Sequence, residues 1–134
     1  FLVHKFPQSL QEETAFKITR MLIDMIINGE NQARFYRIDC LVALFNEHHE
    51  LISEIANEDM ILTVAAFLES DDPDLLKQTI ILLNTVFQQE QLIDSERHLF
   101  YAFVDNDGLD QIRMLENGDN EEVAQLSTLF LKLE

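Results

Sequence analysis

Three adjacent residues in the first half of the chain, His48, His49 and Glu50, are of types that bind zinc in many proteins. A zinc-protease helix carries the pattern HExxH, in which two histidines four residues apart hold the metal and the glutamate acts as general base. If the pattern began at His49, it would require histidine at residue 53, where Ser53 stands. We therefore expect an ordinary solvated helix end here, with no metal bound.

Other nucleophile and base candidates are scattered along the chain. Cys40 is the only cysteine, so no disulfide forms within the chain, and we interpret it as a small buried hydrophobic residue in a core stripe. His98 is isolated in an apolar segment, as is usual for a surface or a satisfied core histidine. Gly29, Gly108 and Gly118 are too far apart to build a phosphate-binding loop. The sequence predicts a protein that is not an enzyme and that holds no cofactor and no metal.

Acidic residues dominate the composition. The chain has 25 Asp and Glu against 9 Lys and Arg, a net charge of −16, and most of the excess falls in residues 51–134. Such a field repels phosphate backbones and attracts basic partners, so we expect no direct nucleic-acid binding. The alternative is that the carboxylates are only solvated helix faces and first turns. The apolar run at 60–68 is well short of the roughly 20 residues that span a bilayer, so no membrane contact is expected.

A repeated pattern predicts the fold. Residues 27–33, 68–74 and 115–121 each contain an apolar residue, a polar turn and a helix cap, at intervals within or at the edge of the roughly 40 to 47 residues of armadillo and HEAT repeats. Such repeats bury their faces against their neighbours and offer a long surface to partners. The sequence therefore predicts an all-α, right-handed superhelical solenoid of about three repeats, in one domain covering 1–134.

Turn and cap signals divide the chain into about eight helices. We place them at 9–28, which is one helix or two joined by a bend, and then at 31–47, 51–55, 60–69, 72–91, 95–104, 109–116 and 120–133. The order is two short helices and then a long one, which gives repeat units of roughly 1–47, 48–91 and 92–134. The apolar run at 79–87 predicts that the helix at 72–91 is the most deeply buried.

Near the end of the chain, a glycine–leucine pair, an isoleucine, a leucine and an acidic cap precede the final predicted helix. These residues are Gly108, Leu109, Ile112, Leu115, Asn120, Glu121 and Glu122. In this pattern the C-terminal half, residues 72–134, resembles the last two armadillo repeats of importin alpha. Residues 81–89 are similar to the long helix that precedes the family's last repeat, whereas the first seventy residues match only in helix order and spacing.

One departure from the family is clear. Importin alpha holds basic signal peptides with a ladder of Trp and Asn residues four apart on the third helix of each repeat, and this chain has no tryptophan. Ile81 and Thr85 stand at the ladder positions of the middle unit, and Asp39 and Ala43 at those of the unit before. Because neither pair offers an aromatic face and an amide, classical signal binding is not predicted.

The resemblance implies a shuttling adaptor of nucleus and cytoplasm. Its last repeats would bind an export receptor, a nucleoporin or non-classical cargo with basic segments. We place the protein-binding residues at the start of the last helix, at Asp119, Glu121, Glu122 and Gln125. Their alternative role is capping and dipole stabilisation, worth roughly 0.3 to 1 kcal/mol each. A second interpretation of the fold is an armadillo or HEAT scaffold of a signalling or cytoskeletal assembly.

The start of the chain carries a separate expectation. The first residue is Phe1, without an initiator methionine, so we expect a fragment of a longer protein. In a repeat array, the apolar residues Phe1, Leu2, Val3 and Phe6 would pack against an upstream repeat. Uncovered, they would mediate self-association of the fragment.

Overall fold

Every regular element that the computed structural model describes, within residues 8–28 and 34–133, is helical. The α-helices are α1 Gln8–Ile27, α2 Arg34–Glu47, α3 Glu50–Ile55, α4 Glu58–Ala65, α5 Pro73–Ile93, α6 His98–Asp105, α7 Gly108–Glu116 and α8 Glu121–Leu131, and a 3₁₀ helix, Ala66–Glu69, follows α4. The all-α prediction is confirmed. The self-association surface predicted at Phe1, Leu2, Val3 and Phe6 lies outside the described residues.

The predicted order of helices is also found. The short helices α3 and α4 precede the long helix α5, and the short helices α6 and α7 precede α8. Before them, α1 is one helix of 20 residues, so the bend considered at this segment is not needed. The main difference lies at α6, which begins at residue 98 instead of 95.

Local side-chain caps explain why three of the helices begin where they do. Asn57, Asp72 and Asn120 accept backbone N–H hydrogen bonds from the first turns of α4, α5 and α8, at 2.9, 3.0 and 3.0 Å. These short polar side chains satisfy donors that have no partner inside the helix. In α5, Pro73 follows its cap directly, where the missing proline N–H costs nothing.

Helix α5 is at the centre of the packing. It contacts α2 on one side and α8 on the other, and α3, α4 and α6 also pack against it. Elsewhere, α1 packs against α4, α4 against α6 and α6 against α7. The three helices α2, α5 and α8 therefore lie side by side, and α5 contributes nine buried residues to the packing.

An aromatic cluster joins α5 to the last third of the chain. The Phe87 ring centroid lies 5.4 Å from those of Phe100 and Phe103 and 5.9 Å from that of Phe130. All four rings are buried. Aromatic pairs at such separations contribute about 0.5 to 1.5 kcal/mol beyond the area they bury.

Gly108 is required by the close approach of two helices. It is the first residue of α7, and a Cβ added there would lie 2.6 Å from three carbon atoms of the Phe103 ring. Phe103 is completely buried in the aromatic cluster and has little room to retreat. The absence of a side chain at residue 108 thus lets α7 begin directly against that ring.

A distant carboxylate sets the start of α6. Glu90, in the last turn of α5, is only 4% exposed and accepts hydrogen bonds from the backbone N–H groups of Leu99 at 2.7 Å and Phe100 at 3.0 Å. Arg97, just before α6, has a left-handed backbone φ of 53°, which residues other than glycine seldom adopt. Its guanidinium lies 4.0 Å from the centre of the Phe100 ring, and Nη2 donates to the carbonyl of Leu133 at 2.8 Å. Residues 95–97 therefore form a turn, and the prediction of a helix from residue 95 is wrong.

Replacing Glu90 with glutamine should destabilise the fold. Glutamine offers one acceptor oxygen and places an NH2 group near the second donor, so a charge-assisted hydrogen bond is lost and a buried N–H is left unpaired. We expect the free energy of unfolding to fall by about 1.5 to 3 kcal/mol. Urea unfolding followed by circular dichroism measures it. Gln91→Ala, an exposed neighbour, is the control, and an equal loss in both variants would contradict this role for Glu90.

The substitution Gly108→Ala should also be costly, since the new methyl group meets the Phe103 ring. Overpacking of this kind costs about 1 to 3 kcal/mol. A double-mutant cycle with Phe103→Leu tests the cause, because a smaller side chain makes room for the methyl group. The double variant should lose less stability than the two single losses added together. Strict additivity would show that the ring and the methyl group do not meet.

Candidate functional site

A groove of about 560 Å³ lies between the long helices α2, α5 and α8. We call it the long-helix groove. It is lined by Phe35, Asp74, Lys77, Gln78, Ile81, Glu122, Gln125, Leu126 and Leu129. Since its walls come from three separate parts of the chain, it depends on the side-by-side packing of these helices.

The helical period explains which residues of α5 reach the groove. Asp74, Lys77, Gln78 and Ile81 are spaced by three, one and three residues and so share one face of the helix. The opposite face is buried among the other helices. Burial of the apolar side of α5 thus orients this mixed polar and apolar side towards solvent.

An ion pair crosses the groove between α5 and α8. Lys77 Nζ donates to Glu122 Oε2 at 2.6 Å and also lies 3.4 Å from Asp74 Oδ1. The lysine side chain is 28% exposed, whereas both acidic side chains are 70% exposed. The hydrogen bond between Lys77 and Glu122 lowers the pKa of the Glu122 carboxyl and raises the pKa of the Lys77 ammonium.

A second polar contact crosses from α5 to α2. Gln78 Nε2 donates to Asp39 Oδ1 at 2.7 Å. The two contacts tie α5 to each of its long neighbours at adjacent residues of the same face. Both are partly exposed, so we regard them mainly as elements that place side chains and not as major sources of stability.

Apolar side chains provide the rest of the lining. Ile81 and Leu126 are half-buried, and Leu129 is 48% exposed. Phe35 contributes from α2 and is half-buried. A partly apolar groove with an ion pair at one side can receive a side chain of leucine size next to a charged group.

The four predicted binding residues do not all share one surface. Glu122 and Gln125 line the long-helix groove, whereas Asp119 and Glu121 are exposed and do not line it. The side-chain cap of α8 is made by Asn120, so capping does not account for the acids beside it. The helix separates Glu121 from Glu122 because successive residues point about 100° apart.

Comparisons of this chain with known protein families, characterised proteins and solved structures found no match.

Sequence reasoning missed Lys77, Leu126 and Leu129 as residues of the groove. Lys77 lies 45 residues from Glu122, and only tertiary packing brings the two together. One signal was available: Asp74 and Glu122 each stand two residues after a helix cap, Asp72 or Asn120, so they are equivalent positions of successive long helices.

The positions compared with the importin-alpha ladder lie on the same helices. Ile81 lines the long-helix groove, and Asp39 is bound by Gln78. The Thr85 hydroxyl donates to the carbonyl of Ile81 at 2.9 Å, and Thr85 lines a second groove between α2, α3 and α5. None of these side chains offers the aromatic face and the amide of the ladder.

Two expectations about single residues are wrong. Cys40 is exposed, because it stands two residues after Ile38 and two before Val42, on the outer side of α2. His48 is only 5% exposed, because it continues the apolar stripe of α2 three residues beyond Phe45. His49 is exposed as expected.

Within residues 8–28 and 34–133, no three histidine, cysteine, aspartate or glutamate side chains are grouped in a way that could hold a metal ion. Among the helices of the same ranges, none has the length and the apolar character needed to cross a membrane.

A charged cluster lies at the corner between α5 and α6. His98 Nδ1 is 2.9 Å from Asp94 Oδ2, and Nε2 is 3.0 Å from Glu96 Oε2. The hydrogen bond with Asp94 raises the pKa of His98 above its ordinary 6.5 and lowers the pKa of Asp94 below its ordinary 3.8. Glu96 and Glu90 add attraction for the imidazolium. The cluster is exposed, and we assign it to the stability of the corner.

This cluster should make stability depend on pH. The contribution of His98 is fully present below pH 6.5 and is lost as pH rises through the raised pKa of the folded state, whereas the Asp94 contribution is lost only as pH falls below 3.8. His98→Gln should therefore cost more stability at about pH 5 than at about pH 9. Urea midpoints at both pH values measure this, with His49→Gln as the control. A loss for His98→Gln that is the same at both pH values would contradict it.

Proposed function

We propose that the chain is an armadillo-type right-handed solenoid of about three repeats and forms the C-terminal protein-binding region of a nuclear import adaptor that resembles importin alpha. The support for the fold is the repeated order of two short helices and a long one, with the long helices side by side. The support for the family is the match at residues 108–122. In this proposal the protein has no catalytic role.

The observation that carries the proposal is the long-helix groove. The long third helices of armadillo repeats present the binding surface in the family it resembles, and the groove lies between the corresponding helices α2, α5 and α8. Two predicted binding residues, Glu122 and Gln125, line it. The groove combines exposed carboxylates with partly exposed apolar side chains, which suits a basic and apolar segment of another protein.

The partners follow from the resemblance. We expect an export receptor, a nucleoporin or non-classical cargo to bind here, and the protein to shuttle between nucleus and cytoplasm. The net charge of −16 would speed the approach of a basic partner at low salt.

One observation favours a different binding protein. The positions compared with the ladder hold Asp39, Ala43, Ile81 and Thr85, which cannot grip a basic signal as Trp and Asn do. An armadillo or HEAT scaffold of a signalling or cytoskeletal assembly needs no such ladder. The two functions differ in their dependence on Ran, the GTPase that controls nuclear transport.

A pull-down of the importin-alpha export receptor, with and without Ran-GTP, tests the adaptor. We expect capture that requires Ran-GTP, and we expect Glu122→Lys to weaken it about tenfold by placing a cation beside Lys77. Glu121→Lys is the matched control, since it makes the same charge change one residue away and outside the groove. Its effect should be under about threefold.

Each other result has a definite meaning. If the export receptor is captured equally with and without Ran-GTP, or is not captured under either condition, the adaptor is ruled out and the scaffold is favoured. Equal losses for Glu121→Lys and Glu122→Lys would show that overall charge, and not the groove, governs binding.

A further inference from the structure

Lys77 has an unusual place in the long-helix groove. It is the one basic residue among those that line the groove in the described ranges, and its ammonium lies within reach of two groove acids, Glu122 at 2.6 Å and Asp74 at 3.4 Å. The chain's own cation thus occupies the acids that an incoming basic residue would use.

The surroundings identify the kind of occupant that fits. Beside the ion pair lie Ile81, Leu126 and Leu129, the last of them 48% exposed. Both acids are 70% exposed, so a cation from outside can reach them. A second copy of this chain fits poorly, because each copy carries a net charge of −16 and the copies repel one another.

The lysine is free to leave. Its four-carbon stem is flexible, and its exposed fraction of 28% leaves a path to solvent. An exposed ion pair contributes little net stability, since hydration and side-chain freedom compensate for its loss. The free protein can therefore exchange Lys77 for another cation without unfolding the groove.

We propose that Lys77 is an internal competitor, which holds Asp74 and Glu122 in the free protein and is displaced when a segment of another protein places a lysine or arginine there and an apolar residue on Ile81, Leu126 and Leu129. This inference rests on the proposed use of the groove for protein binding. It adds a residue that sets specificity. Because the acids only exchange one cation for another, a basic residue alone gains little, and the apolar contact must supply the affinity.

The test uses a labelled short peptide of alternating lysine and leucine, with two others in which glutamate replaces lysine or serine replaces leucine. Fluorescence anisotropy gives the Kd for wild type and for Lys77→Met, which keeps the apolar stem and removes the charge. Lys17→Met is the matched control, since Lys17 is also paired with a glutamate, Glu13 at 3.1 Å, and lies outside the groove. Both variants make the net charge more negative by the same amount.

We expect Lys77→Met to bind the lysine–leucine peptide about five- to tenfold more tightly than wild type, and Lys17→Met to bind it within about twofold of wild type. Adding Glu122→Gln to Lys77→Met should remove most of the gain. The glutamate–leucine and lysine–serine peptides should bind weakly to every variant. In wild type, saturation with the lysine–leucine peptide should move the side-chain NMR signal of isotope-labelled Lys77 to that of a solvated lysine.

Several results would overturn the inference. If Lys77→Met binds the lysine–leucine peptide no more tightly than Lys17→Met does, or if the peptide does not bind at all, the inference is contradicted. So it is by tighter binding of the glutamate peptide, or by self-association of the wild type through this groove. An unchanged Lys77 signal at saturation would do the same without any variant. The export-receptor pull-down is independent of these results, so a gain in Lys77→Met without Ran-dependent capture would reject the adaptor and keep the competitor.

Discussion

Helix α5 must be covered on several sides at once, and the arrangement of the described chain follows from that requirement. One neighbouring helix cannot cover all of its buried residues, so α2 and α8 pack on either side while α3, α4 and α6 cover the rest. Phe87 shows the dependence most directly, because its ring meets one ring from α8 and two from α6. Because the apolar side is fixed in this way, the direction of the remaining face of α5 is fixed too. Asp74, Lys77 and Ile81 on that face line the long-helix groove.

Local features could be predicted from the sequence, and tertiary ones could not. Asn57, Asp72 and Asn120 cap their helices through local contacts, because a cap acts on an N–H only two or three residues away. Glu90 caps a helix from nine and ten residues away, across a turn, and no local pattern marks it. The helix order could be predicted because helix starts and ends are marked by local cap and turn residues.

The candidate site shows the same division. Glu122 and Gln125 were predicted as members of an acidic and polar group, but the sequence could not separate them from Asp119 and Glu121. That separation depends on which side of α8 meets α5. Likewise, Cys40 is exposed and His48 is buried because of their positions around α2, although residue type alone predicts the reverse. In both cases the angle around the helix decides the environment, and chemical character does not.

Charge explains why the groove contains a lysine at all. Asp74 and Glu122 are equivalent residues of neighbouring long helices, so the packing of α5 against α8 brings like charges towards each other in a chain that already carries −16. Lys77 relieves that repulsion while remaining partly exposed. The same exposure makes it replaceable by any cation that arrives with additional apolar contact. Lys77 therefore reduces the repulsion between the two acids in the free protein and is also the cation that a partner must displace. The apolar neighbours of the ion pair decide which partner can do so.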